Sequence, residues 1–496
     1  MLSEATRDKL DGLVNPLLVK EMYQSLHNKK FLTALWLMLG CSLVAYVTIF
    51  AASRGKACGD DMFAVFSIFM YIGCVFVLPY LAFSNLSEEV KSGTLELVHI
   101  TRMSSRKHVR GRLLASLVKI GLVFSMIGPF AVAAFLFKGI GVAPIIIILI
   151  LALLFSVFAC TVGIFFAALT SQKQMRSIAK GLFVLLLVWA LFLPFSVAGE
   201  FYFFREIFGS GGTPAGWLAE ALAVLGASAA ITLLWVWFLC AASANILTFE
   251  ADKCSARTKF ILLAIIGAHC AAFSTPVLFG ERIHTELIMA FALTAAIPLM
   301  VCGSFWLTGP SRVAYRFQKK FKKRDPTYQA WLFPFMDGAG SSALYLFVAF
   351  GLIFAGTLFM LLLPGGDFDD EMLFPVVICI VYPLFFSAVS RGIVRLLPKR
   401  LRTIKILRGV FLGLIAVNLI VPIILLAALD FSRPPKPSPL TGPFPLIHLM
   451  SLDRAPSGYG LLRLFLDLAV PALIGVTVHL VVMARHFGRY MGGKYD

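Results

Sequence analysis

With 59% hydrophobic and 14% charged side chains over 496 residues, the chain is too apolar for a soluble globule, in which charged residues alone make up about 25%. Its net charge of +18 is spread over many short segments rather than one folded face, which argues against nucleic acid as a partner and for the anionic head groups of membrane lipids. The nine cysteines stand singly, mostly inside apolar runs, so neither a disulfide framework nor a zinc site is indicated.

The first thirty residues are polar and hold no cleavable signal peptide, so the first apolar run is expected to stay as a signal anchor. Within residues 1–30, Asn15 and Pro16 have the chemistry of a helix start, Asn as the cap and Pro in the first turn where a missing N–H is harmless. Leu18, Met22 and Leu26 then fall on one face, with Lys20, Glu21, Asn28 and Lys30 elsewhere. This predicts an amphipathic helix lying along the inner membrane surface.

Twelve apolar runs of bilayer-crossing length follow. The first six run approximately over residues 31–52, 62–83, 113–137, 143–170, 181–198 and 217–247. The second six run over 260–280, 287–309, 343–363, 372–390, 410–429 and 464–484. The expected fold is an all-α polytopic membrane protein with about twelve transmembrane helices in two six-helix halves, 31–258 and 259–496. If both termini are cytoplasmic, the inner segments carry 34 Lys and Arg and the outer loops 9, while the acidic residues divide 12 and 12. That is the pattern of a rule about Lys and Arg rather than about net charge, and it fixes the expected orientation.

The loop over residues 84–112 carries the functional signal. Asn85 is placed to cap a short helix with Glu88 at its third position, and Gly93 permits a sharp exit. Thr94 and Glu96 then offer polar groups to the cytoplasm, while Leu95 and Leu97 can seat an apolar anchor. Ser104 or Ser105 can cap the next span, whose first turn holds Arg106, Lys107 and Arg110. Cations there oppose the helix dipole and call for an anionic partner.

Glu88 or Glu89, the run Gly93 to Leu97, Ser105-Arg106 and Gly111-Arg112 together resemble the coupling loop of the ABC type 2 permease family. Asn15 to Glu21 resembles that family's opening surface helix, and the likeness covers roughly the first half of the chain. Arg102 stands where a proline is common, and Arg112 replaces the usual lysine.

The resemblance implies an exporter permease subunit of a bacterial inner membrane, both termini cytoplasmic, driven by a separate cytoplasmic ATPase that grips residues 84–112 and holds the ATP and magnesium. It also leaves open a homodimer or a second permease as partner. This chain is then not itself an enzyme and binds no cofactor. Its Walker-like string from Gly488 to Lys494 ends in Tyr495 where Ser or Thr would hold magnesium.

The remaining candidates read as structural. Lys119 and Glu220 lie near span ends where they can snorkel, and Asp467 has Arg463 four residues away. His269 and His479 are packing residues, and Asp367, Asp369, Asp370 and Glu371 form a solvated loop. The residues from Gly199 to Gly216 are apolar enough to dip back into the outer leaflet. The rival function is a secondary transporter of twelve spans, which calls for ionisable groups at mid-membrane.

Overall fold

The structure, a computed structural model, describes residues 16–27, 29–53, 58–92, 104–137, 142–170, 214–248, 255–274, 331–336, 338–361, 373–398 and 473–484. It also describes residues 177, 179–188, 190, 291, 294–296, 298–299, 302–303, 306–307, 406–407, 409–411, 414 and 471. Among these residues every regular element is a helix, and seven helices are long and apolar enough to cross a membrane. They are the elements of a multi-pass helical membrane protein. The chain divides into two compact units, Met1–Phe249 and Glu250–Asp496.

The first unit begins with α1 (Pro16–Leu26) and α2 (Lys29–Ser53). Next comes one continuous span, Asp61–Ser92, built from α3 (Gly59–Tyr71), a π-helical stretch (Ile72–Val77) and α4 (Leu78–Ser92). The cause of the π stretch is local. Leu78 N–H reaches back five residues to Gly73 O, and the next residue, Pro79, has no N–H with which to resume the ladder and a ring that would crowd a carbonyl four residues back. The Tyr71 hydroxyl, at the start of this stretch, donates to Ala190 O at 2.7 Å.

Then come α5 (Ser105–Ala133), closed by a 3₁₀ turn (Ala134–Phe137), α6 (Val142–Leu169) and α7 (Pro214–Leu247). Met62, Phe66 and Met70 of α3 pack on Ile120 and Val123 of α5 and Cys160 of α6. A second cluster gathers Phe83 and Leu86 of α4, Val109 of α5 and Phe183, with the Phe83 and Phe183 rings stacked 4.4 Å apart. Helices α4 and α6 touch backbone to side-chain position, because a Cβ on Gly163 would lie 2.6 Å from Pro79 O. Only a glycine fits there.

One sequence expectation is corrected here. Asn85 caps no short helix: α4 runs unbroken through it to Ser92, since no Gly or Pro interrupts the stretch after Pro79. The helix that carries the third span starts where a cap at Ser104 or Ser105 is expected. It begins at Ser105, where the Ser104 side chain accepts a hydrogen bond from the Lys107 N–H, so Ser104 rather than Ser105 is the cap.

The second unit contains α8 (Ala256–Phe273), a 3₁₀ turn (Phe333–Phe335), α9 (Ala339–Leu361) and α10 (Leu373–Leu396). Gly338 turns the chain into α9 at φ 134°, and its carbonyl accepts from the Ser341 hydroxyl at 2.9 Å and the Ser342 N–H at 2.9 Å. The spans expected at 181–198, 287–309, 410–429 and 464–484, and the loops at 199–216 and 430–460, lie wholly or partly outside the described residues.

Candidate functional site

The site begins on α5. At helical spacing, His108, Arg112, Ser116 and Lys119 share one face, and all four are buried. Helix α1 lies against α5, with Leu17 and Glu21 as its buried positions. This differs by one residue from the expected face. Leu18 and Met22 are half-buried instead, and Glu21, assigned to the polar side, points into the protein.

Arg112 holds three groups. Its Nη2 lies 3.2 Å from Glu21 Oε1 and pairs directly with Glu89 Oε2, while its Nε donates to His108 Nε2 at 3.2 Å. His108 Nε2 is itself 3.9 Å from Glu89, and an Nε2 that accepts from arginine belongs to the neutral imidazole. At the solvent edge, Lys20 Nζ donates to Glu89 Oε1 at 3.1 Å. Three separate stretches of chain, α1, the end of α4 and the start of α5, are thereby tied by one ion network. Buried pairing of this kind contributes little net stability over an apolar packing, but it makes the joint specific in register and costly to break from one side.

The other positions singled out in the sequence divide as follows. Glu88 and Arg106 are exposed, while Ser105 and Gly111 are buried at the start of α5. Pro16 opens α1 and Leu26 closes it. Asn15, Gly93, Thr94, Glu96 and Leu97 lie outside the described residues. Thus Glu89 and Arg112 are brought together, and the partners added by the structure are Glu21, Lys20 and His108. Glu21 lies with Leu17 on a second helical stripe, one residue from the apolar stripe of Leu18 and Met22, and only the cation on α5 selects it.

Lys119 lies two turns further along α5. It is only 5% exposed, and among the described residues its amine makes neither a hydrogen bond nor an ion pair.

A second buried cation stands in the other unit. Lys259 is fully buried and donates to Pro334 O at 3.1 Å, Met336 O at 2.6 Å and Ser342 Oγ at 3.2 Å. The Trp306 and Tyr345 rings lie 5.6 and 5.4 Å from the amine, and Tyr345 OH donates back to Lys259 O at 2.8 Å. Three oxygens and two ring faces replace its water, as a buried ammonium requires. This is a staple fixing the turn before α9 to α8.

The two histidines on apolar helices, His269 and His479, are satisfied locally. His269 Nδ1 donates to Ile265 O at 2.8 Å. His479 Nδ1 donates to Gly475 O at 2.7 Å, with the Ser387 hydroxyl 3.3 Å from its Nε2. Among the described residues no three His, Cys, Asp or Glu side chains gather into a metal site. No family model, curated protein or solved structure matches the chain.

Proposed function

We propose that the chain is the membrane-spanning permease subunit of an ATP-driven exporter of the ABC type 2 class, with a separate cytoplasmic ATPase as its motor. The observation that carries this reading is the ion network at Arg112. Glu89 and Arg112, two positions picked from the resemblance to a coupling loop, meet Glu21 of the surface helix in one buried cluster. A partner that pushes on residues 93–103 acts on the segment joining α4 to α5. Because Arg112 ties both flanks of that segment to α1, the push moves α1, α4 and α5 together instead of dissipating in a loop. The cargo side of the cycle then follows from how α5 and the span Asp61–Ser92 repack in the bilayer.

In this reading the twelve spans form two halves, both termini and the loop at 84–112 face the cytoplasm, and the membrane is a bacterial inner membrane. A secondary transporter remains the alternative, favoured by one observation: Lys119 is an ionisable group buried within a candidate span. Energy source separates the two. Transport by the exporter stops when the ATPase partner is removed and is indifferent to collapse of the proton gradient, whereas the alternative shows the reverse.

The residue-level test is Glu96→Lys, since charge reversal at a complementary interface alters partner capture much more than it alters folding. The variant is expected to insert and accumulate normally while losing capture of the ATPase or uncoupling hydrolysis from transport. Capture and transport equal to the parent would remove the coupling loop from the argument.

A further inference from the structure

Among the described residues, Arg112 is shared by two carboxylates while Lys119, on the same face of α5, has none. Seven residues separate them, two turns or about 10 Å along the axis. A lysine on a helix leans toward the N-terminus, so the Lys119 amine rises from its own turn toward Glu21 and Arg112. Glu21, the buried acid of α1, is held by Arg112 at 3.2 Å. The carrier of Glu21, α1, is a short helix of 11 residues lying against the same face of α5. Ser116, between the two cations, is small and buried, and its hydroxyl is occupied by Arg112 O at 3.0 Å, so it offers Glu21 no competing donor.

We propose that Lys119 is a second seat for the Glu21 carboxylate, and that α1 steps along α5 by exchanging Arg112 for Lys119. In the outer seat, Glu21 and Glu89 share Arg112. In the inner seat, Glu21 neutralises Lys119 and Arg112 is left to Glu89, so each buried carboxylate has its own cation. The two arrangements conserve the number of buried charges and differ in which pairs touch, which is what a two-position element requires. Lys119 is a positioning residue in this scheme. It sets where the surface helix stops and touches no cargo. The inference deepens the reading of α1, α4 and α5 as a transmission joint, but its test needs no ATPase.

The test is zero-length coupling of the intact chain in lipid nanodiscs with a membrane-permeant carbodiimide. The reagent activates a carboxylate, a lysine amine in contact attacks the activated carbon, and an amide forms as the reagent leaves as its urea. Lys20 and Glu89, 3.1 Å apart, provide the internal control. Peptide mass spectrometry is expected to find a Glu21–Lys119 amide beside the Lys20–Glu89 amide. Lys119→Arg, which keeps the charge but cannot condense, is expected to lose the first and retain the second. Arg112→Gln is expected to raise the Glu21–Lys119 yield severalfold by emptying the outer seat.

Formation of the Lys20–Glu89 amide without the Glu21–Lys119 amide in the unaltered chain overturns the proposal, as does an unchanged Glu21–Lys119 yield in folded Arg112→Gln. That outcome with ATP-driven transport intact would sink the second seat alone. A Glu21–Lys119 amide in a chain that captures no ATPase would instead sink the exporter reading.

Discussion

In a Lys119→Met parent, which lacks the second seat proposed for Glu21, replacing Arg112 by Met keeps a long apolar stem at the centre of the network and deletes its charge. Glu21 and Arg112 are each only 4% exposed, so the variant leaves a carboxylate in a site built for its counterion. Removing one member of a buried pair destabilises by about 3–5 kcal/mol. The full figure applies to Glu21 alone, because Glu89 is more exposed and keeps Lys20 at 3.1 Å. For a folding unit the size of Met1–Phe249, 1 kcal/mol moves the melting midpoint by about 2–4 °C, so the expected fall is roughly 6–20 °C. Midpoints of the detergent-solubilised chain, followed by loss of the monodisperse size-exclusion peak, give the measurement. Glu21→Gln in the Arg112→Met background removes the stranded charge and is expected to restore at least half of the loss, the non-additivity typical of residues in one network. A midpoint within about 2 °C of the parent for Arg112→Met, or no recovery in the double variant, would refute the claim that this network is a buried and mutually dependent joint.

Three further outcomes are expected. Lys259→Met leaves Pro334 O without its donor and Met336 O with the Ser341 hydroxyl alone; at about 1–3 kcal/mol for a stranded buried acceptor, limited proteolysis should open the turn between residues 333 and 342 before α8 or α9 is cut. Gly163→Ala places a methyl 2.6 Å from Pro79 O, so α4 and α6 must part at a cost of about 1–3 kcal/mol, and folded yield should fall while the equally drastic-looking Gly121→Ala, with nothing within 4 Å, should not lower it. In a cysteine-free background, single cysteines at Gly212 and Ser438 should react with an impermeant thiol reagent from outside and one at Lys320 should not; the opposite labelling would reverse the orientation drawn from the basic residues.

The membrane-crossing helices of the first unit were legible because a span must be apolar on every side, and that demand survives any uncertainty about packing. The joint was legible only in pieces. Glu89 and Arg112 stand out by their place beside Gly93 and Gly111, but nothing local says that they meet, since the contact crosses the segment between two helices. Glu21 was hidden by a near-degenerate pattern: Leu17, Leu18, Glu21 and Met22 support two helical stripes one residue apart, and apolarity alone favours the wrong one. What decides is the cation waiting on α5, which no reading of α1 in isolation contains. The burial of Lys119 comes from the packing of α5 within its unit, a tertiary fact that its place near a span end does not carry. The extension of α4 through Asn85 shows the same limit, because a good cap residue is ignored when the preceding span supplies a helix that has no reason to stop.

The π-helical stretch at Ile72–Val77 sets the azimuth of everything below it. One surplus residue per turn displaces the helical phase by about 100° relative to a regular α-helix, so the upper and lower parts of this span are indexed separately to their neighbours: Met62 and Phe66 to α5 above, Pro79 to Gly163 and Glu89 to Arg112 below. The span behaves like a shaft with a keyed coupling partway along it. A one-residue deletion here would leave an apolar helix still long enough to insert, yet would turn its Ser92 end by more than a quarter of a revolution and swing Glu89 away from its socket. Insertion into the bilayer and engagement of the joint are therefore governed by different properties of the same thirty-two residues, total apolar length for the one and rotational phase for the other.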